Sequence, residues 1–132
     1  MNAPQPPSPI AQTLREVADV LERTDPSSPA DALPLLREAQ WKLTQAIDEA
    51  MALAIVVQGA SIRQAGALAG LSENSVPPRL AQTEALAPYA DEAGRVSARG
   101  VERARYDLER GTVPAPAAAP RPPMTFRRRR PE

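Results

Sequence analysis

An all-α fold of about five helices with proline-rich ends is what this sequence predicts. Three observations support it. Apolar residues recur at helical spacing, a serine or aspartate stands where each run begins, and glycine or proline stands where it stops. Residues 1–8 form a proline-rich, disordered lead-in. Residues 9–58 form an N-terminal helical hairpin, and residues 59–111 form a second helical unit. Residues 112–132 form a disordered Pro/Ala linker with an arginine-rich tail, because such composition buries too little apolar surface to order.

The first helix opens with Ser8 as cap and Pro9 at its first position, where a missing N–H costs little. Ile10, Leu14, Val17 and Leu21 mark one face, and Pro26 ends the run. Asp31 is the expected cap of a second, long helix over about 32–58, with Pro34 inside its first turn and Gly59 as its stop. Its stripe is Leu36, Leu43, Ile47, Ala50 and Ala54, widened by Leu33, Met51, Ile55 and Val57. The two helices pack as an antiparallel pair over this aliphatic seam. Trp41 lies off the stripe and is expected half-buried against a neighbouring helix, with a surface interface anchor as the alternative.

Ser61 and Gln64 have capping-box spacing for a third helix that ends at Gly70, with Ala65, Leu68 and Ala69 inward. Val76 and Leu80, with Thr83 at the edge, continue the apolar side of a fourth helix that ends before Pro88. Residues 90–96 turn at Gly94, with a short strand at Arg95–Val96. Ser97 caps a last helix, with Val101, Ala104 and Leu108 inward and Gly111 after it.

Composition excludes several chemistries. The chain has no cysteine and no histidine, which removes disulfides, thiolate metal sites, the commonest zinc ligand and the commonest general base. The one lysine is Lys42, Asp48 and Glu49 point in different directions on a helix, and no phosphate-binding glycine loop is present. The expectation is a non-enzyme without cofactor, metal or small-molecule substrate. No apolar run reaches the roughly 20 residues of a membrane span, and the N-terminus lacks signal-peptide character, so a cytoplasmic location is expected. Fifteen of sixteen basic residues are Arg and alanine is abundant, a usage that suggests a GC-rich bacterial genome.

Net charge is zero but polarised. Residues 1–58 carry four basic and eight acidic side chains, residues 59–90 two of each, and residues 91–132 ten basic and six acidic. The C-terminal third is therefore suited to phosphates or acidic surfaces. Arg127, Arg128, Arg129 and Arg130 form a polyanion-seeking tip. Arg99 and Arg103 share a helical face, but Glu102, Asp107 and Glu109 interleave with the arginines of that helix. Ion pairing on a solvated helix accounts for the pattern equally well.

Gly66 in the middle of the third helix, Gly70 at the turn, Leu71 as plug, Ser72 as hydroxyl cap and Val76 as anchor are the residue types a helix-turn-helix requires. The run Ser61 to Val76 resembles the helix-turn-helix of bacterial DNA-binding regulators. The Gly94-Arg-Val-Ser turn and the helix after it are similar to the winged layout of excisionase-like and mercury-regulator-like proteins. The resemblance implies a transcriptional regulator that contacts double-stranded DNA through residues 61–86. It also implies phosphate contacts from Arg95 and Arg99 and a dimer that spans two half-sites.

Pro77 and Pro78 depart from that pattern. Past the first turn each would cost about 3 kcal/mol, so the fourth helix is expected to begin at Val76 with Ser75 as cap, and the turn to lengthen to Gly70–Ser75. The DNA-facing set is then Arg63, Ser72, Asn74, Ser75, Arg79, Gln82, Thr83, Arg95 and Arg99. Arg79 and Gln82 are able to read guanine and adenine edges, and the hydroxyls and Asn74 to donate to phosphate. Glu73 and Glu84 offset Arg63 and Arg79. That neutrality supports an alternative, a helical protein–protein adaptor in which the motif is structural only.

Overall fold

The computed structural model describes residues 8–111. The expectations for residues 1–7 and 112–132, including Arg127–Arg130, lie outside the described residues. Within them the protein is all-helical: α1 Pro9–Glu22, α2 Pro29–Val56, α3 Ile62–Ala69, α4 Val76–Leu80 and α5 Ala98–Arg110. Single 3-10 turns stand at Glu73–Ser75 and Ala87–Tyr89. No strand forms among the described residues, so Arg95–Val96 is not the expected strand. No helix among them is long and apolar enough to cross a membrane.

Local chemistry explains where most helices begin and end. Ser8 Oγ accepts from the Ala11 amide at 3.0 Å, and Ser61 and Gln64 form a reciprocal capping box. Gly70, at φ 75°, closes α3 in the left-handed region, and the Leu71 amide bonds back to Gly66 O at 2.8 Å. Ser97 Oγ caps α5 through the Gly100 amide. The start of α2 differs from expectation. It begins at Pro29, and Asp31 sits in the first turn, where its carboxylate accepts from Ser28 Oγ at 2.8 Å. Pro34 consequently stands inside the helix rather than in its first turn.

α1 and α2 form an antiparallel pair, with Glu16 near the middle of α1 bonded to Lys42 near the middle of α2 at 3.2 Å. Their seam is not the predicted leucine stripe. Val17, Val20, Ala39 and the half-buried Leu35 make the contact, and Ala32 and Ala46 are buried along α2. Alanine lets the helix axes approach closely, and it turns the larger residues outward. Leu14, Leu21, Leu36, Leu43 and Ile47 are all exposed. Trp41 is 62% exposed, so it is not half-buried against a neighbouring helix.

The larger core lies at the other end of α2. Met51, Ala52 and Ile55 pack with Ala65 of α3, Val76 and Leu80 of α4, Leu86, Tyr89 and Val96 of the connecting segment, and Val101 and Ala104 of α5. Leu68 and Leu108, expected inward, are exposed at 84% and 55%. Arg105 closes this end of α2. Its Nε and Nη2 donate to Ile55 O at 3.0 and 2.9 Å, and Nη2 also reaches Ala60 O at 2.9 Å. A solvated-looking arginine of α5 therefore satisfies a carbonyl that the α2 terminus leaves without a partner, Ile55 O, and a second in the connection to α3, Ala60 O.

Candidate nucleic-acid interface

The motif forms with a short turn. Gly70, Leu71 and Ser72 connect α3 to a helical segment that opens with the 3-10 turn Glu73–Ser75 and continues as α4. The expected six-residue turn is thus replaced by three turn residues and one tight helical turn. Pro77 and Pro78 fall in the first turn of α4 and lose no α-helical hydrogen bond there. The Ser75 amide bonds to Ser72 O at 3.0 Å in the i to i−3 pattern, so the tight turn supports itself. Gly66 is where the helices cross. A Cβ there would lie 2.6 Å from Val76 Cγ2.

α4 is shorter than expected. It ends at Leu80, and the chain leaves it through successive turns, with the Gln82 amide bonding to Arg79 O and the Thr83 amide to Leu80 O, both at 3.1 Å. Thr83 is not outward-facing. It is 1% exposed, its hydroxyl donates to Leu80 O at 2.6 Å and accepts from the Leu86 amide at 3.2 Å. That buried hydroxyl is what terminates α4 and starts the return of the chain. Arg79 is half-buried, and its Nε donates to Asp48 Oδ1 of α2 at 2.7 Å. It anchors α4 rather than reaching outward.

The neighbouring Glu49 performs a related task. Its Oε2 accepts from the Glu84 amide at 2.9 Å. Burial pushes its pKa up, the Glu84 amide bond opposes the shift, and the charges of Glu84 and Asp48 add to it. Asp48 and Glu49 therefore serve separate partners, one a guanidinium and one a backbone amide.

Ser72, Asn74 and Gln82 are exposed, and Ser75 is half-buried with its hydroxyl 2.8 Å from that of Ser72. Arg63 is open to solvent and stands 3.4 Å from Glu73, which is also exposed. Such a surface pair contributes little to stability, and a phosphate is able to compete for the arginine.

A further connection was not legible in the sequence. The Val96 amide bonds to Pro77 O at 3.1 Å and ties the segment before α5 to the first turn of α4. The preceding turn is rigidly built. Asp91 Oδ1 accepts from the Ala93 and Arg95 amides at 2.9 and 3.0 Å, and the Asp91 amide bonds to Arg95 O at 2.8 Å. Arg95 thus stands one residue from the bond that joins it to α4, and Arg99 follows in the first turn of α5. Both are exposed, and neither forms an ion pair with a described residue. Within the larger core, Tyr89 donates its hydroxyl to Asp107 at 2.7 Å. Burial, with Asp107 beside it, pushes the Tyr89 pKa up to about 12.

Comparison with known proteins gives no relative: no family model, no curated protein and no solved structure matches the chain.

Proposed function

We propose that the protein binds double-stranded DNA as a small bacterial regulator, with the helix-turn-helix of α3 and α4 set against the groove. The observation that carries this reading is the bond from the Val96 amide to Pro77 O. It holds the Arg95 turn, and with it the first turn of α5, beside the first turn of α4. Exposed Ser72, Asn74 and Gln82 supply neutral donors, and Arg63, Arg95 and Arg99 supply charge. Phosphate contacts then carry most of the affinity, and the five-residue α4 offers few side chains to base edges. The expected behaviour is modest sequence preference and strong dependence on salt.

Fluorescence anisotropy with a mixed-sequence duplex, titrated with salt, tests this on the full chain. Replacing Arg95 and Arg99 together with Ala is expected to reduce the slope of log K against log salt by about 2, since each phosphate contact contributes about 0.9. Absence of binding at low salt overturns the proposal, as does binding that neither this pair nor Asn74→Ala with Gln82→Ala alters.

A protein–protein adaptor is the second reading, and one feature favours it specifically. Arg79, the residue best suited to guanine, is held by Asp48. Recovery of a stoichiometric protein partner free of nucleic acid would support that reading.

A further inference from the structure

The α1–α2 hairpin exposes a second apolar seam besides the one that joins its helices. On α2, Leu33, Leu36, Gln40, Leu43, Ile47 and Ala50 follow alternating steps of three and four residues. All six are exposed, with Leu33 at 66%, Leu36 at 46% and Leu43 at 44%. On α1 the same steps give Ala11, Leu14, Ala18 and Leu21, with the two leucines at 47% and 49%. This is the 3.5-residue period of helices that pack along their length against a partner helix. No charged residue occupies either row.

The two rows open onto the same side of the hairpin. At about 100° per residue, Leu14 and Leu21 lie roughly 40–60° around α1 from Val17, and Leu36 and Leu43 lie roughly 40–60° around α2 from Ala39. The rotations have the same sense, and in an antiparallel pair equal rotations of one sense face one way. Val17 and Ala39 meet in the intramolecular seam, so the leucines form a continuous two-helix face beside it.

We infer that this face is the interface with a second copy of the chain, forming a four-helix bundle from two hairpins. The size is suitable. At about 1.5 Å per residue, the α2 row runs about 25 Å and the α1 row about 15 Å, on helices about 10 Å wide. The flat projection is on the order of 400 Å² per copy, and the ridged accessible surface is larger, so the pair approaches the roughly 1,000 Å² of a specific interface. Self-complementarity favours a copy over a different protein. The face is uncharged throughout, a two-fold axis brings identical apolar rows together, and a charged partner surface would gain nothing from it. Gln40 is the single long polar side chain in the seam, and one such residue fixes register by pairing with its counterpart. The inference does not depend on DNA binding.

Sedimentation velocity of the full chain over a dilution series is the test, with helicity followed by circular dichroism. The wild-type chain is expected to be a dimer in the micromolar range. Leu36→Glu with Leu43→Glu is expected to leave a helical monomer, since both side chains are already about half exposed in the single copy. If that variant loses helicity, Leu36→Ala with Leu43→Ala serves instead, with dissociation strengthened about a hundredfold. A wild-type chain that stays monomeric overturns the inference, whichever other segment or protein covers the face. A dimer unchanged by either pair of substitutions also overturns it.

Discussion

Gly66 and Arg105 show how single residues set this architecture. Gly66 lets α4 cross α3, and a methyl group there would stand 2.6 Å from Val76 Cγ2. Gly66→Ala improves helix propensity by up to about 1 kcal/mol, but overpacking costs about 1–3 kcal/mol, and the clash is with a fully buried side chain. Net destabilisation in urea unfolding is therefore expected. Arg105 makes two hydrogen bonds to Ile55 O at the end of α2 and one to Ala60 O in the connection that follows. Arg105→Met keeps much of the stem packing and removes the charged donors, so a loss of about 2 kcal/mol is expected in the same assay. The sequence disclosed the role of Gly66, because a small residue at that place in a helix-turn-helix has one evident use. It did not disclose Arg105, because nothing local distinguishes an arginine that caps a distant helix from one that faces water.

At the level of elements, α4 departs furthest from its local pattern. Its start was legible, since Pro77 and Pro78 fit only a first turn. Its end was not, because the stop signal is the buried Thr83 hydroxyl together with the Asp48 and Glu49 contacts from α2. Glu49 gives this contact a pH dependence. Its folded pKa is raised, so its contribution is greatest when the carboxyl is protonated and is lost as pH rises through the folded value. At neutral pH the ionised carboxylate thus bears a desolvation penalty. Glu49→Gln keeps an oxygen for the Glu84 amide and removes that penalty. A gain of no more than about 1 kcal/mol is expected at pH 7, given its partial exposure, and the gain should vanish near pH 4. Thermal unfolding of both proteins across that range measures it.

For the whole molecule, the uneven division between a small hairpin core and a larger core decides how it opens. Val17, Val20 and Ala39 hold α1 against α2, whereas all of the later elements surround the C-terminal half of α2. α1 is expected to exchange its amide hydrogens at lower protection than residues 45–56. Val20→Ala should speed exchange in α1 while changing protection around Ile55 little, and mass-spectrometric hydrogen exchange reads both. By itself the sequence determined that five helices form, the caps of α1, α3 and α5, the αL glycine between α3 and α4, and the first-turn placement of Pro9, Pro77 and Pro78. These features satisfy backbone hydrogen bonds within a few residues, so neighbours in sequence suffice to specify them. Only the tertiary structure decided that alanine rather than leucine lines the α1–α2 seam, that Arg79 and Thr83 turn inward, and that the Arg95 turn is tied to α4. A helical period reveals that an apolar face exists, but which face is covered depends on the direction from which distant parts of the chain approach.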